Sequence, residues 1–174
     1  SGAIDQIYIS NNGSKYNEAP TITIGGDGTG AAATAYLANV TLSGGSPTSS
    51  AIIRATVKEG EIRSVQIVDG GANYDEDRVS LVVSAPDSPG RYATLTPTFT
   101  NGTLTAINIV NGGSGYKSVR LVDVTNAGSG YTTTTVTFSS APTVITGAFT
   151  VPETVTGSVT GTTANMVQWD AQEG

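Results

Sequence analysis

The chain has 174 residues, among them 22 Gly and 7 Pro, with 8 basic and 14 acidic side chains, a formal net charge of −6, and neither Cys nor His. Without thiols or imidazoles there can be no disulfide framework, no thiolate nucleophile, no zinc finger and no imidazole general base, so any reaction would have to run on carboxylates, hydroxyls or Lys. Three Lys and five Arg without a cluster argue against nucleic acid, and no apolar run approaches the roughly 20 residues of a membrane helix.

Large apolar side chains are scarce. The 12 Ile, 17 Val, 6 Leu and 3 Phe sum to 38 residues, about 22% of the chain and just above the level associated with disorder. Adding 27 Thr to the Ile and Val gives 56 β-branched residues, which are stiff at χ1 and pack well on a pleated surface. An all-β chain with a thin core is expected. Residues 1–30 lack the charged start and apolar stretch of a signal peptide.

A repeat organises the chain. Residues 2–16 read GAIDQIYISNNGSKY, 60–74 read GEIRSVQIVDGGANY, 102–116 read GTLTAINIVNGGSGY, and 117–131 read KSVRLVDVTNAGSGY. In the first three, Gly leads Tyr by 14 positions, with apolar residues third, sixth and eighth, Asn or Asp tenth and Gly twelfth; the fourth lacks only the leading Gly. The starts lie 58, 42 and 15 residues apart, so the unit is a recurring strand and loop between variable insertions and not a solenoid coil.

Taken in chain order, the first copy closes at Tyr16 and a strand follows over 21–24, then the loop Gly25-Gly26-Asp27-Gly28-Thr29-Gly30. That loop lacks the Lys-Ser/Thr of a phosphate-binding loop and opens no helical pattern, so it reads as a hairpin loop. Ala51, Ile53, Ala55 and Val57 face one way, Glu59-Gly60 turn, and Ile62, Val65 and Ile67 return. A strand over 79–83 follows Tyr74. Ala93, Leu95, Pro97 and Phe99 then alternate with four Thr, and Asn101-Gly102 is the strongest short hairpin signal, because type I′ turns need positive φ at both central residues. The step from Leu104 to Ile107 breaks alternation and predicts a bulge. Further strands are expected over 119–124 and 133–138.

These copies define a β-repeat region over 1–140. Residues 141–174 lack the loop, carry short Thr/Val strands punctuated at Gly147, Gly157 and Gly161, and read as a small, incomplete β module with Trp169 closing its last strand. The expected architecture is all-β, with antiparallel hairpin repeats in sandwich- or prism-like sheets.

Each candidate site has a structural and a functional reading. Tyr16, Tyr74, Tyr116 and Tyr131 occupy one equivalent place beside a Gly-rich turn, where a ring covers exposed backbone and its hydroxyl reaches a carbonyl; the alternative is a sugar-stacking platform. Asp75, Glu76 and Asp77, with Asp69 across the loop, offer oxygen ligands for calcium, but the spacing does not match an EF-hand and Arg78 supplies a counter-ion, so a solvated loop is the better reading. Asp69 with Asp75 or Glu76 could in principle form a glycosidase pair. Nothing in the spacing selects them, and no catalytic residue, metal or cofactor is expected.

The stretches Asn12 to Ile24 with Gly25 to Ala35, and Asn111 to Tyr116, resemble Gly-rich repeats of virion structural proteins of tailed bacteriophages, particularly contractile-tailed phages of marine cyanobacteria. The segment GAFTVPETVTGSVTGTTANMVQW is similar to a motif of the same proteins, with Pro152 where a Gly is usual. The resemblance implies a particle component located in the virion, in tail fibre, baseplate or neck, whose partners are other virion proteins and further copies of itself, with a trimer expected. A host-surface glycan is a further partner it allows. The competing reading is a carbohydrate-binding or adhesin module of a secreted bacterial protein, with the four Tyr and the Asp75 loop as its contact surface.

Overall fold

The computed structural model describes residues 2–139 and the strands 153–156 and 163–166. The chain divides into two compact units, Ser1–Ala141 and Pro142–Gly174. All regular structure among the described residues is β, and every pairing is antiparallel. In the first unit β1 (Ile22–Gly26) pairs with β10 (Thr134–Phe138), β2 (Thr29–Tyr36) with β9 (Leu121–Ser129), and β3 (Val40–Gly44) with β6 (Val79–Val83). The hairpins β4 (Ile52–Lys58)/β5 (Glu61–Asp69) and β7 (Thr94–Thr100)/β8 (Thr103–Asn111) complete it. In the second unit β11 (Glu153–Thr156) pairs with β12 (Thr163–Met166). Gly147, Pro152, Gly157, Gly161 and Trp169 lie outside the described residues.

Alternation and turn chemistry dictate the two hairpins. In β7, Leu95, Pro97 and Phe99 are half-buried while Thr94, Thr96, Thr98 and Thr100 are exposed, as a period of two requires of a sheet with one covered face. Its turn has φ of 52° at Asn101 and 72° at Gly102, and the β4/β5 turn has 55° at Glu59 and 77° at Gly60, the left-handed pair of a type I′ turn. Glu59 is an unusual residue for that region. Its N–H is held by the carbonyl of Asn17 at 2.7 Å.

The bulge expected near Leu104 is present, with Thr105 as the extra residue between Ala106 and Leu104, and Arg63 takes the same place in β5. A second bulge, which alternation did not signal, leaves the ninth motif residue unmatched in three copies: Val68, Val110 and Thr125. It turns the exposed ninth residue away from the ladder and aims the tenth, Asn or Asp, into the closing loop.

One local expectation is corrected. Residues 25–30 are not a hairpin loop, because β1 and β2 pair with β10 and β9 and not with each other. They form a corner between two ladders. Asp27 explains it: its carboxylate accepts the N–H groups of Thr132 (2.9 Å) and Thr133 (3.0 Å) and the Thr132 hydroxyl, pinning the corner to the turn before β10.

Reciprocal main-chain bonds join the four copies in pairs. In the second and third, the N–H of Tyr74 donates to Gly102 (2.8 Å) and that of Tyr116 to Gly60 (3.0 Å), while Leu104 donates to Gly70 (3.0 Å) and Ile62 to Gly112 (2.9 Å). In the first and fourth, Tyr131 donates to Gly2 (2.9 Å) and Tyr16 to Lys117 (3.0 Å), while Ile4 donates to Ala127 and Val119 to Asn12 (both 2.8 Å). The same four bonds thus recur about two local pseudo-two-fold axes. They depend only on the main chain, which is why Lys117 can stand where the other copies have Gly.

The core lies where these pairs meet. Its fully buried members are Tyr116, Leu37, Ile53, Ile62, Leu104 and Val40, with Ala35, Ala38, Ala55 and Val119 between them. Ile62, Leu104 and Val119 all hold the third motif position, the one whose N–H reaches the paired copy. Arg54 of β4 forks onto Asp123 of β9, with Nη2 to Oδ1 at 2.7 Å and Nε to Oδ2, tying one pair of copies to the other.

Candidate functional site

The four closing loops share one construction. The tenth residue accepts the N–H of the twelfth through its side chain: Asn11 from Gly13 (2.9 Å), Asp69 from Gly71 (2.8 Å), Asn111 from Gly113 (2.8 Å) and Asn126 from Gly128 (3.0 Å). These are Asx turns. The twelfth residue is Gly for two reasons at Gly113: φ is +70°, and a Cβ would stand 2.5 Å from the carbonyl oxygen of Arg91.

Close approach of that Gly lets the Tyr of the same loop reach the strand behind it. The Tyr74 hydroxyl accepts the N–H of Ala51 (2.7 Å), the Tyr116 hydroxyl that of Ala93 (2.8 Å), and the Tyr131 hydroxyl that of Ala31 (3.4 Å). The spacing predicts a carbonyl partner; an amide takes its place, the N–H of the Ala at or near the start of the strand behind the loop. Tyr16, Tyr74 and Tyr116 are buried and Tyr131 is half-buried, so the rings cover backbone and share no open face. Burial pushes the Tyr116 hydroxyl pKa up, only partly offset by the Ala93 N–H.

The acidic loop is solvent-exposed at Asp75, Glu76 and Asp77, and two of its carboxylates bond to nearby main chain. Asp75 accepts the N–H of Asp77 (3.2 Å) and lies 3.4 Å from the Arg78 guanidinium, while Glu76 accepts the N–H of Gly102 (3.0 Å) at the β7/β8 turn. Asp69 is engaged in its Asx turn. Among the described residues no group of three or more acidic side chains converges as a metal site would.

Two carboxylates that the sequence did not single out do the most organising. Asp27 caps the β1/β2 corner, and the Thr132 hydroxyl together with the Thr133 and Thr132 amides holds its carboxyl far below the usual carboxylate range. Asp87 accepts the Lys117 N–H (3.0 Å), the hydroxyl of buried Ser118 (2.7 Å) and Arg120 Nη2 (2.6 Å), while its own N–H donates to Gly115 (2.8 Å). It thereby fixes the junction at which the third copy runs directly into the fourth. Neither residue belongs to the repeat, so spacing carried no signal for them.

Comparison with family models, curated proteins and solved structures finds no match to the chain. Function must therefore be read from the architecture and from the chemistry of these loops.

Proposed function

We propose that the chain is a non-catalytic structural component of a tailed-phage virion, acting through assembly with other virion proteins and with copies of itself. The observation that carries the assembly reading is that, among the described residues, the strands pair only in twos, in six separate two-stranded ladders. Each such ladder leaves strand edges with main-chain donors and acceptors that the described residues do not organise into a wider sheet, and such edges are templates for pairing with another chain. The core is thin, and apolar side chains remain exposed at Val68, Val110, Val82 and Tyr92; burial against neighbours would add stability that a single copy lacks.

Catalysis finds no support in the candidate pair of Asp69 with Asp75 or Glu76, since all three carboxylates are engaged by a backbone N–H. The virion assignment rests on the resemblance of the Asn-Gly-Gly-Ser-Gly-Tyr loops and the C-terminal motif. A glycan array tests the adhesin alternative: the scaffold reading predicts no binding by the intact chain, and saturable binding abolished by Tyr131→Ala, the most accessible of the four rings, would overturn it. Molar mass in solution tests assembly directly.

A further inference from the structure

One of the four copies lacks what the other three possess. In copies two, three and four the strand of the motif is laddered to a partner: β5 to β4, β8 to β7 and β9 to β2. Residues 3–9 of the first copy have no strand partner among the described residues. Their only main-chain bond to another described segment is Ile4 N–H to Ala127, the one that joins the paired copy.

The three partners are alike. Each carries an Ala, within β2 at Ala31 and just ahead of β4 and β7 at Ala51 and Ala93, whose N–H donates to the Tyr hydroxyl of the motif, and that Ala is counted here as the first residue. Its third residue (Ala33, Ile53, Leu95) then faces the eighth motif position, and its fifth (Ala35, Ala55, Pro97) faces the sixth. The twelfth-position Gly lies against that Ala in every case, with a hypothetical Cβ 2.6–2.8 Å from the Ala nitrogen.

The first copy is built to receive the same strand. Gly13 has φ of +63° and its Asx turn is formed, but the atoms closest to it belong only to the Tyr16 ring. Tyr16 is 8% exposed, and its hydroxyl has no hydrogen-bond partner among the described residues. Beside Ile7 and Ile9 runs a groove of about 380 Å³ whose other wall is Thr134, Val136 and Phe138 of β10. Tyr8, at its rim, is 81% exposed.

We propose that residues 3–11 accept a β-strand donated by a separate polypeptide chain. The strand runs antiparallel to the segment, its first residue, a small one such as Ala, gives its N–H to the Tyr16 hydroxyl, and its third and fifth residues, apolar and uncharged, face Ile9 and Ile7. Recognition is β-augmentation, in which main-chain bonds supply affinity and alternate side-chain pockets supply selectivity. A separate chain is the occupant because the three strands of this pattern described in residues 2–139 have each already given that Ala N–H to a Tyr hydroxyl of their own motif, and a second copy presents the same three already engaged.

The test uses the full chain and an N-acetylated, C-terminally labelled peptide of sequence AIIRATVK, the partner strand of the second copy, followed by fluorescence anisotropy and by hydrogen exchange resolved to residues 3–11. In the free chain these amides exchange far faster than those of 61–69 and 103–111, and saturating peptide protects them. A scrambled peptide has no effect, and Tyr16→Phe weakens binding roughly tenfold, the loss of one well-placed hydrogen bond, while leaving the thermal midpoint unchanged. Failure of the peptide to bind would overturn the proposal. So would protection of 3–11 in the free chain, which would mean that the chain's own residues or, where light scattering shows an oligomer, a second copy already fill the edge.

Discussion

The role assigned to the tyrosines can be measured by removing their four hydroxyls one at a time. Tyr116→Phe keeps the ring, which is 1% exposed, and deletes only the oxygen that accepts the Ala93 N–H at 2.8 Å. The amide is then left half-buried without a partner, and a loss of about 1–2 kcal/mol follows. Tyr74→Phe removes the 2.7 Å bond from Ala51 and should cost the same, about 1–2 kcal/mol. Tyr131→Phe removes a 3.4 Å bond at a half-buried site, and a loss below about 0.5 kcal/mol is expected. Tyr16→Phe removes a hydroxyl without a partner among the described residues and should stay within about 0.5 kcal/mol of the parent. For a chain of this size each kcal/mol shifts the thermal midpoint by about 2–4 °C, so differential scanning calorimetry resolves the order 116 and 74 above 131 above 16. Equal losses at all four positions, or none at 116, would refute the assignment.

Other consequences follow from individual contacts. Gly113→Ala places a Cβ 2.5 Å from the Arg91 carbonyl oxygen at φ +70°, whereas Gly30→Ala, at φ +79°, meets nothing nearer than 3.9 Å; chemical denaturation should show a loss of about 1–2 kcal/mol at Gly30 from the backbone conformation alone, and a distinctly larger one at Gly113. Asp87→Ala strands the buried Ser118 hydroxyl and the Arg120 guanidinium, and should lower stability by about 2 kcal/mol, with Arg120→Ala adding little more because the two act as one unit. The folded Asp27 carboxyl ionises well below its ordinary value, so its contribution is present above the unfolded pKa near 3.8 and is lost as pH falls through the folded value; Asp27→Asn should flatten the acid limb of the stability profile below about pH 4. For Tyr116 the folded pKa is raised above 10.0, so its contribution is intact below that pH and declines as pH rises toward the folded value; Tyr116→Phe should remove that part of the alkaline limb, as read from midpoints across the alkaline range.

Local chemistry was legible in the sequence and long-range pairing was not. Asn101-Gly102 and Glu59-Gly60 placed two hairpins correctly, and the step from Leu104 to Ile107 announced the bulge at Thr105, because turn type and side-chain period are properties of neighbouring residues. The glycines around Asp27 suit a hairpin loop and a corner equally; what decides is a carboxylate bond to Thr132, 105 residues away. The reciprocal joining of the copies uses main-chain groups alone, and side-chain patterns say nothing about those. The tyrosines were recognised as equivalent from spacing, but the choice between platform and cover needed their burial. Asp87 remained invisible because its three partners, Lys117, Ser118 and Arg120, lie on the opposite side of the third copy from it.

Molar mass of the intact chain by light scattering, measured across a wide concentration range, tests the assembly function most directly. Two-stranded ladders with open edges and a thin core predict a homo-oligomer, with a trimer at about three times the 17.6 kDa of one chain. A particle that stays at 17.6 kDa at every concentration would contradict it.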